Sequence, residues 1–406
     1  MEQKEGCGML VQFRFKNYAS FREEVCFDMR AVKAYKEHPY NLCSITPNED
    51  LLKVAAIYGA NASGKSNFAK AYLDFCSLVR NSFSNAEDKR TVLSKYYNAF
   101  LLSPNSQDTD TEFSGVYVKD NYQYEYGFVY NANEIVYEWL YRKSLKGKRK
   151  AIIFERYKQN INLGSTVEES CGKYKDEIEK DVLALSFFNL LKLKTDTFKV
   201  VYQIVTGAFI FLPLSQTEIN KHVEFLLEIT GEQGRSDILK FFDTIDIRIT
   251  DIAVEKSKEG TKVRFFHPGA DGKLYSLPLD LESDGTRKII VMYMYAKAAI
   301  SLGSIMLVDE LNMQLHPLLA RYIVNMFHAS EGRGQLIYTT HDTTLLDKSY
   351  FRRDQIWFVE KSEHCESTMY SLADYSIRKD ASYEKEYLGG AYGGIPILKD
   401  TNDNNC

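Results

Sequence analysis

The chain has seven cysteines, at positions 7, 26, 43, 76, 171, 365 and 406, but they make no C-x-x-C pair and no zinc-ligand spacing. An odd, dispersed set excludes a disulfide framework and a structural zinc site, and reduced thiols point to the cytoplasm. Long apolar runs are missing as well. The nearest, Ile289 to Val308, is divided by Lys297, Ser301, Gly303 and Ser304 into a helix and then a strand, so no membrane span is predicted. The first 25 residues interleave Glu, Lys and Arg with apolar positions, which excludes a secretory signal. Positive charge is not in excess: 51 Lys+Arg against 55 Asp+Glu give a formal net charge of -4. A surface that attracts nucleic acid all over is thereby excluded, while a local basic groove is not. The densest basic run, Lys146 to Lys150, reads as a solvated turn between two strands. There is no internal repeat and no sustained heptad pattern, hence no long coiled-coil arm, and no H-E-x-x-H or G-x-S-x-G.

What is present is an ordinary globular composition, 45% apolar and 26% charged over 406 residues, enough for a large core and several substructures. Leu10 to Phe15 alternates as a strand, with Val25 to Asp28 as its hairpin partner. Lys53 to Tyr58 reads as a buried strand entering a glycine-rich turn, and Lys65 to Arg80 as the helix after it. Residues 81–111 are polar and irregular. From Glu112 to Arg156 aromatic and β-branched segments alternate with short breaks, which predicts an antiparallel subdomain. Helical spacing over Asp176 to Phe242 predicts a helical insertion. After Ile247 strands return, followed by helix Asp284–Ser301, strand Ile305–Asp309, helix Leu318–Ala329, and strands Gln335–Thr340 and Gln355–Glu360. That alternation predicts a mainly parallel sheet covered by helices.

Gly59-Ala60-Asn61-Ala62-Ser63-Gly64-Lys65-Ser66 fits G-x-x-x-x-G-K-[ST] and lies between a predicted strand and a predicted helix, the context this motif requires. Its glycines let backbone N–H groups, including those around Asn61 and Ser63, wrap a polyphosphate at a helix N-terminus. Lys65 is expected to reach the β and γ phosphates of ATP, and Ser66 to ligate Mg²⁺. Ile305 to Val308 is an apolar strand that ends in Asp309-Glu310. Strand ends face the ligand crevice of an α/β sheet, so Asp309 is a candidate for the Mg²⁺ shell and Glu310 for orienting and deprotonating water. Gln335 to Thr340 is a second such strand, and His341 after it is a candidate γ-phosphate contact. Leu281-Glu282-Ser283-Asp284-Gly285-Thr286 precedes a helix. Ser283 or Asp284 would cap it, and the same N-terminus, with flexible Gly285, would offer N–H donors to a phosphate held by another subunit.

Together these segments resemble ABC-type ATPase heads, with Walker A at Gly59–Ser66, signature at Ser283–Thr286, Walker B at Ile305–Glu310 and a switch histidine at His341. Phe15-Lys16-Asn17-Tyr18-Ala19-Ser20-Phe21, the phosphate loop, Thr339-Thr340-His341-Asp342 and the terminal Tyr387 to Pro396 stretch are similar to the prokaryotic RloA and AbiL-like ATP-binding proteins. That group is related to SMC and overcoming-lysogenization-defect heads and is associated with anti-phage and abortive-infection loci. The resemblance implies an α/β P-loop NTPase of the ABC-head type, with Asn17 among the nucleotide-contacting residues. It divides the chain into an N-terminal lobe (1–111), an antiparallel β subdomain (112–175), a helical insertion (176–246) and a C-terminal lobe (247–406). Asp284 stands where the usual signature has its first glycine, Asn312 and Gln314 depart from the family pattern ahead of Leu315-His316-Pro317, and no glutamine is assignable to the Q-loop.

The implied function is an ATPase that closes a homodimer around two ATP molecules and gates a separately encoded effector, a nuclease or toxin, in response to a phage trigger. An SMC-like DNA clamp is the alternative, with DNA as partner. A transporter motor fits poorly, because more than half of the chain separates Ser66 from Ser283. A self-contained nuclease fits poorly too, because only about a sixth of the chain follows His341.

Overall fold

The computed structural model describes residues 8–83, 92–104, 106, 109–258, 260–376 and 381–395. In the first half, strands β1 (Met9–Lys16) and β2 (Val25–Asp28) form a hairpin, and β3 (Leu42–Thr46) and β4 (Glu49–Leu52) a ribbon. Next come β5 (Val54–Tyr58), helices α1 (Lys65–Asn81) and α2 (Val92–Tyr96), and the meander β6 (Thr111–Lys119), β7 (Tyr122–Tyr130), β8 (Ile135–Ser144), β9 (Lys150–Tyr157) and β10 (Asn160–Leu163). Helices α3 (Glu168–Cys171), α4 (Ala184–Leu190) and α5 (Thr197–Thr206), strand β11 (Phe209–Phe211) and α6 (Gln216–Thr244), which is broken by a kink at Gly231, follow. The chain continues through β12 (Asp251–Ser257), β13 (Gly260–Pro268), β14 (Leu274–Pro278), α7 (Asp284–Leu302), β15 (Ile305–Val308) and α8 (Pro317–Ala329). It ends in β16 (Gln335–Thr339), β17 (Ile356–Lys361), β18 (Ser367–Ser371) and α9 (Tyr383–Leu388).

Two sheets organise these elements. The first is antiparallel, in the order β10-β9-β8-β7-β6-β1-β2; the second, β11-β15-β16-β5-β17-β18, is parallel except for β18. The parallel sheet is buried on both faces, and the side-chain alternation of its strands assigns each face. Ala55, Ile57, Leu307, Ile337, Trp357 and Val359 pack towards α1 and the first sheet. Val54, Ala56, Tyr58, Met306, Val308, Tyr338 and Phe358 pack towards α6, α7 and α8. Helix α1 lies in an aromatic core: Phe75 is 5.7 Å from both Phe13 and Phe128, ring to ring, and Tyr72 meets Phe13 at 4.9 Å.

Two sequence expectations change here. The segment 112–175 does not stand apart, because β6 pairs along β1 with Phe13 opposite Gly115, and the meander extends the N-terminal hairpin into one sheet. The open edge of β1 is satisfied by a strand far away in sequence, a partnership that local alternation does not encode. The segment 176–246 carries helices α4 to α6 and also contributes β11, which pairs in parallel with β15 at the edge of the second sheet. It is therefore part of the scaffold that positions the site. The basic run Lys146–Lys150 does form the exposed connection from β8 into β9. Among the described residues no helix is long and apolar enough to cross a membrane.

Candidate functional site

Buried strand β5 delivers Gly59 to the C-terminal edge of the parallel sheet, where the loop turns back into α1. A Cβ on Gly59 would lie 2.4 Å from Val359 O and 2.7 Å from Ser63 Oγ. Gly64 has φ 120°, and a Cβ there would lie 2.5 Å from Ser367 Oγ, so both positions need glycine. The loop is braced from behind: Ser367 Oγ donates to Ser63 O at 2.5 Å and lies 2.7 Å from Ser20 Oγ, to which Asn67 also donates. Asn61 and Ser66 are exposed, whereas Ser63 is buried with its Oγ unpartnered. Lys65 is buried and folds back on its own loop, donating from Nζ to Gly59 O (2.8 Å) and Ala60 O (3.1 Å). Burial lowers the pKa of this ammonium, and the nearby Glu310 and Asp309 act in the opposite direction.

The acids arrive on β15 and the histidine on β16. Their parallel register sets Val308 opposite Tyr338, so the residues that follow lie side by side. Thr339 Oγ1 donates to Asp309 Oδ1 at 2.5 Å and accepts the Glu310 N–H at 2.9 Å. Glu310 takes a left-handed backbone (φ 56°), rare for a residue with a side chain. Its Oε2 lies 2.9 Å from His341 Nδ1. A carboxylate can only accept, so the contact places the imidazole proton on Nδ1. His341 is 57% exposed and Glu310 19%, so the pair sits at the mouth of the site. Asp309 is buried, and its Oδ2 has no hydrogen-bond partner.

The signature segment lies elsewhere. Ser283 caps α7, accepting the Thr286 N–H at 3.1 Å, and is exposed together with Asp284. A Cβ on Gly285 would lie 3.1 Å from Gln314 O, so this helix start abuts the turn after Glu310. One turn on, buried Lys288 donates to Met313 O at 2.5 Å and to Glu310 O at 3.4 Å; burial lowers its pKa to about 8, with Glu310 acting against that shift. The phosphate loop, the acid pair and His341 therefore converge, while Ser283 and Asp284 are exposed at the start of α7.

Asn17 requires a correction. Its side chain is 4% exposed; Nδ2 donates to Thr109 O (2.7 Å) and Thr109 Oγ1 (2.9 Å), and Oδ1 accepts the Phe100 N–H (3.1 Å). Its carboxamide fastens Phe100, Ser106 and Thr109 and is buried among them. Sequence reasoning also missed Thr339, Ser367 and Lys288. Thr339 was visible beside His341 as a hydroxyl at a strand end, whereas nothing local marks Ser367, which is 304 positions from the carbonyl it binds. Gln216 opens α6 with its Oε1 buried and unpartnered, just past the 211–214 turn that shares a small cavity with Asp309.

Magnesium suits these groups. Asp309 offers one fixed oxygen and one unpartnered, Ser66 offers an exposed hydroxyl, and both are hard oxygen donors. Among the described residues no three His, Cys, Asp or Glu side chains cluster to hold a metal by themselves.

A glycine loop between a buried parallel strand and a helix, with paired acids ending a strand of the same sheet, defines a P-loop nucleoside triphosphatase fold. The chain belongs to the family described as AAA domain, putative AbiEii toxin, Type IV TA system, which matches residues 54–347, well over half of its length. No curated protein matches it. Among solved structures it is similar to an SmcHead bound to the C-winged helix domain of ScpA, at 13% identity and TM-score 0.45, over 90% of this chain and 99% of that one. It is also similar to the SMC head domain from Thermotoga maritima, at 13% identity and TM-score 0.43, over 91% and 100% of the two chains.

Proposed function

We propose that this protein binds and hydrolyses ATP in two composite sites of a two-fold dimer and acts as a nucleotide-gated switch for a separately encoded effector. The observation that carries the reading is the convergence of buried Lys65, Asp309 with its unpartnered oxygen, and the Glu310–His341 pair at one sheet edge. Gly59, Asn61, Ser63, Gly64 and Lys65 cradle the phosphates, and Ser66 and Asp309 hold Mg²⁺. The bound ion supplies charge neutralisation on the phosphate oxygens. Glu310 orients and deprotonates the attacking water, and His341, fixed through Nδ1, directs Nε2 at the γ-phosphate. Gln216 takes the Q-loop position that the sequence left open. Ser283 and Gly285 of the partner subunit close the site, which accounts for the exposure of Ser283 in one chain.

A defence setting, of the RloA and AbiL-like kind, is supported by the family's description as a putative toxin of a toxin–antitoxin system. The effector we assign is a nuclease or toxin, with a phage protein as trigger. A Glu310→Gln protein is expected to bind ATP, to turn over at least about a hundredfold more slowly, and to accumulate as a dimer, because loss of a positioned general base costs that much. Turnover is read by phosphate release and assembly by sedimentation. Normal turnover in this variant would remove Glu310 from the role.

A further inference from the structure

The segment 381–395 crosses the site edge and touches both the turn after His341 and the strand that enters the phosphate loop. At its start, Glu384 Oε1 accepts the hydroxyl of Thr343 at 2.9 Å. Thr343 lies two residues after His341, in a turn held by Asp342, whose N–H donates to Thr340 Oγ1 and whose Oδ1 accepts from Thr344. At the far end of α9, the buried Tyr387 ring packs 6.1 Å from Tyr58 and 5.2 Å from Phe358. Tyr58 is the last residue of β5 before Gly59.

The chain then turns through three glycines of positive φ, Gly390, Gly393 and Gly394. Tyr387 Oη donates to Gly394 O at 3.0 Å, and Tyr370 Oη to Tyr392 O at 2.7 Å. A Cβ on Gly394 would lie 3.8 Å from Gly59 Cα, so the two glycine backbones run side by side. On Gly393, whose φ of 67° favours glycine, a Cβ would lie 2.6 Å from Tyr370 Oη and 2.8 Å from Glu360 Oε2 and would push these side chains aside. The positive φ angles and close approaches specify one path beside the phosphate loop.

We propose that residues 381–395 are a strap that couples the switch loop at His341 to the first glycine of the phosphate loop, with Glu384 and Tyr387 as positioning residues for ATP hydrolysis. This rests on the ATPase reading above. When the His341–Glu310 pair closes on a γ-phosphate, Thr343 moves with His341 and carries Glu384. Helix α9 is rigidly packed through Tyr387, so it transmits that displacement to Gly394 and the base of the loop. The strap thus responds to the nucleotide without contacting it.

The test compares backbone hydrogen exchange over 383–395 in the Glu310→Gln protein with and without ATP, alongside steady-state hydrolysis by Glu384→Ala, Glu384→Gln, Thr343→Val and Tyr387→Phe in the otherwise native chain. ATP is expected to slow strap exchange. Glu384→Ala and Thr343→Val are expected to lower kcat about tenfold, the scale of one lost hydrogen bond that orients a reacting group. Glu384→Gln keeps an accepting oxygen and is expected to retain near-normal kcat, a rescue that general loosening of α9 would not give. Strap exchange indifferent to ATP in a protein shown by calorimetry to bind it, or equal kcat in Glu384→Ala and the native chain, would overturn the strap alone. Absence of ATP binding in calorimetry would overturn the ATPase reading and the strap with it. The exchange comparison needs no strap substitution, so it decides the matter even where Glu384→Ala fails to fold.

Discussion

Asp309 shows how one side chain is prepared for its role. Buried in a parallel sheet, a carboxylate without partners would be costly. Thr339 satisfies one oxygen, with a 2.5 Å hydrogen bond, and leaves the other unpartnered. The same hydroxyl accepts from the Glu310 N–H, so one threonine orients both acids and supports the left-handed turn at Glu310. Thr339→Val keeps the shape and removes both bonds. The expected outcome is that the Mg²⁺ concentration for half-maximal ATP hydrolysis rises about tenfold, the low end of what loss of an outer-sphere partner costs a metal site. Magnesium titration of phosphate release checks this, and Thr339→Ser should restore the native midpoint.

Among the secondary-structure elements, one buried polar anchor lies away from the nucleotide site, where β8 meets α4. Glu138 is fully buried; it accepts the N–H groups of Ala184 (2.7 Å) and Leu185 (3.0 Å) in the first turn of α4, and the hydroxyl of Tyr126 (3.0 Å). A carboxylate is favoured at that helix end. Burial raises its pKa, and Arg156, 3.7 Å away and equally buried, works against the rise. Removing the carboxylate leaves a buried guanidinium without its counter-charge. Glu138→Ala is therefore expected to lose about 3–5 kcal/mol of stability, read by urea unfolding. ATP affinity should be unchanged at low temperature, because the pair sits behind the other sheet.

Elements are also the scale at which the sequence was most legible. Strands β5, β15 and β16 and helices α1, α7 and α8 were each readable to within a residue or two, because period-2 and 3.6 patterns and the glycine loop are local signals. Which strand pairs with which was not readable. The union of β6 with β1, and the entry of three-residue β11 beside β15, depend on edges and packing rather than on alternation. The same limit explains the site. Lys65, Glu310 and His341 lie in strings whose chemistry is visible in sequence, and the structure brings them together. Asn17 looked like a ligand because a short polar motif cannot show that the partners of its carboxamide lie more than 80 positions away. Ser367 gave no signal at all.

At the scale of the whole molecule, the proposed dimer needs each chain to supply two half-sites, the phosphate loop with its acids and the start of α7. Lys288 ties them: its ammonium binds the carbonyls of Glu310 and Met313 from the first turns of the helix that Ser283 caps. On the proposed reading, a phosphate arriving at that cap from a partner subunit would press on the backbone that carries Glu310, and so link the two sites of the proposed dimer. A bulky cation at Ser283 should stop the subunits closing without touching the phosphate loop of the same chain. In the Glu310→Gln background, Ser283→Arg is expected to abolish the ATP-dependent dimer in sedimentation. ATP affinity of the monomer should change by no more than about threefold, since its own cradle is intact. Losing the cap costs only about 1 kcal/mol, too little to unfold the chain, and Ser283→Ala provides that control. A dimer that still forms with ATP in the Arg variant would place the signature surface outside the interface and dismantle the composite site.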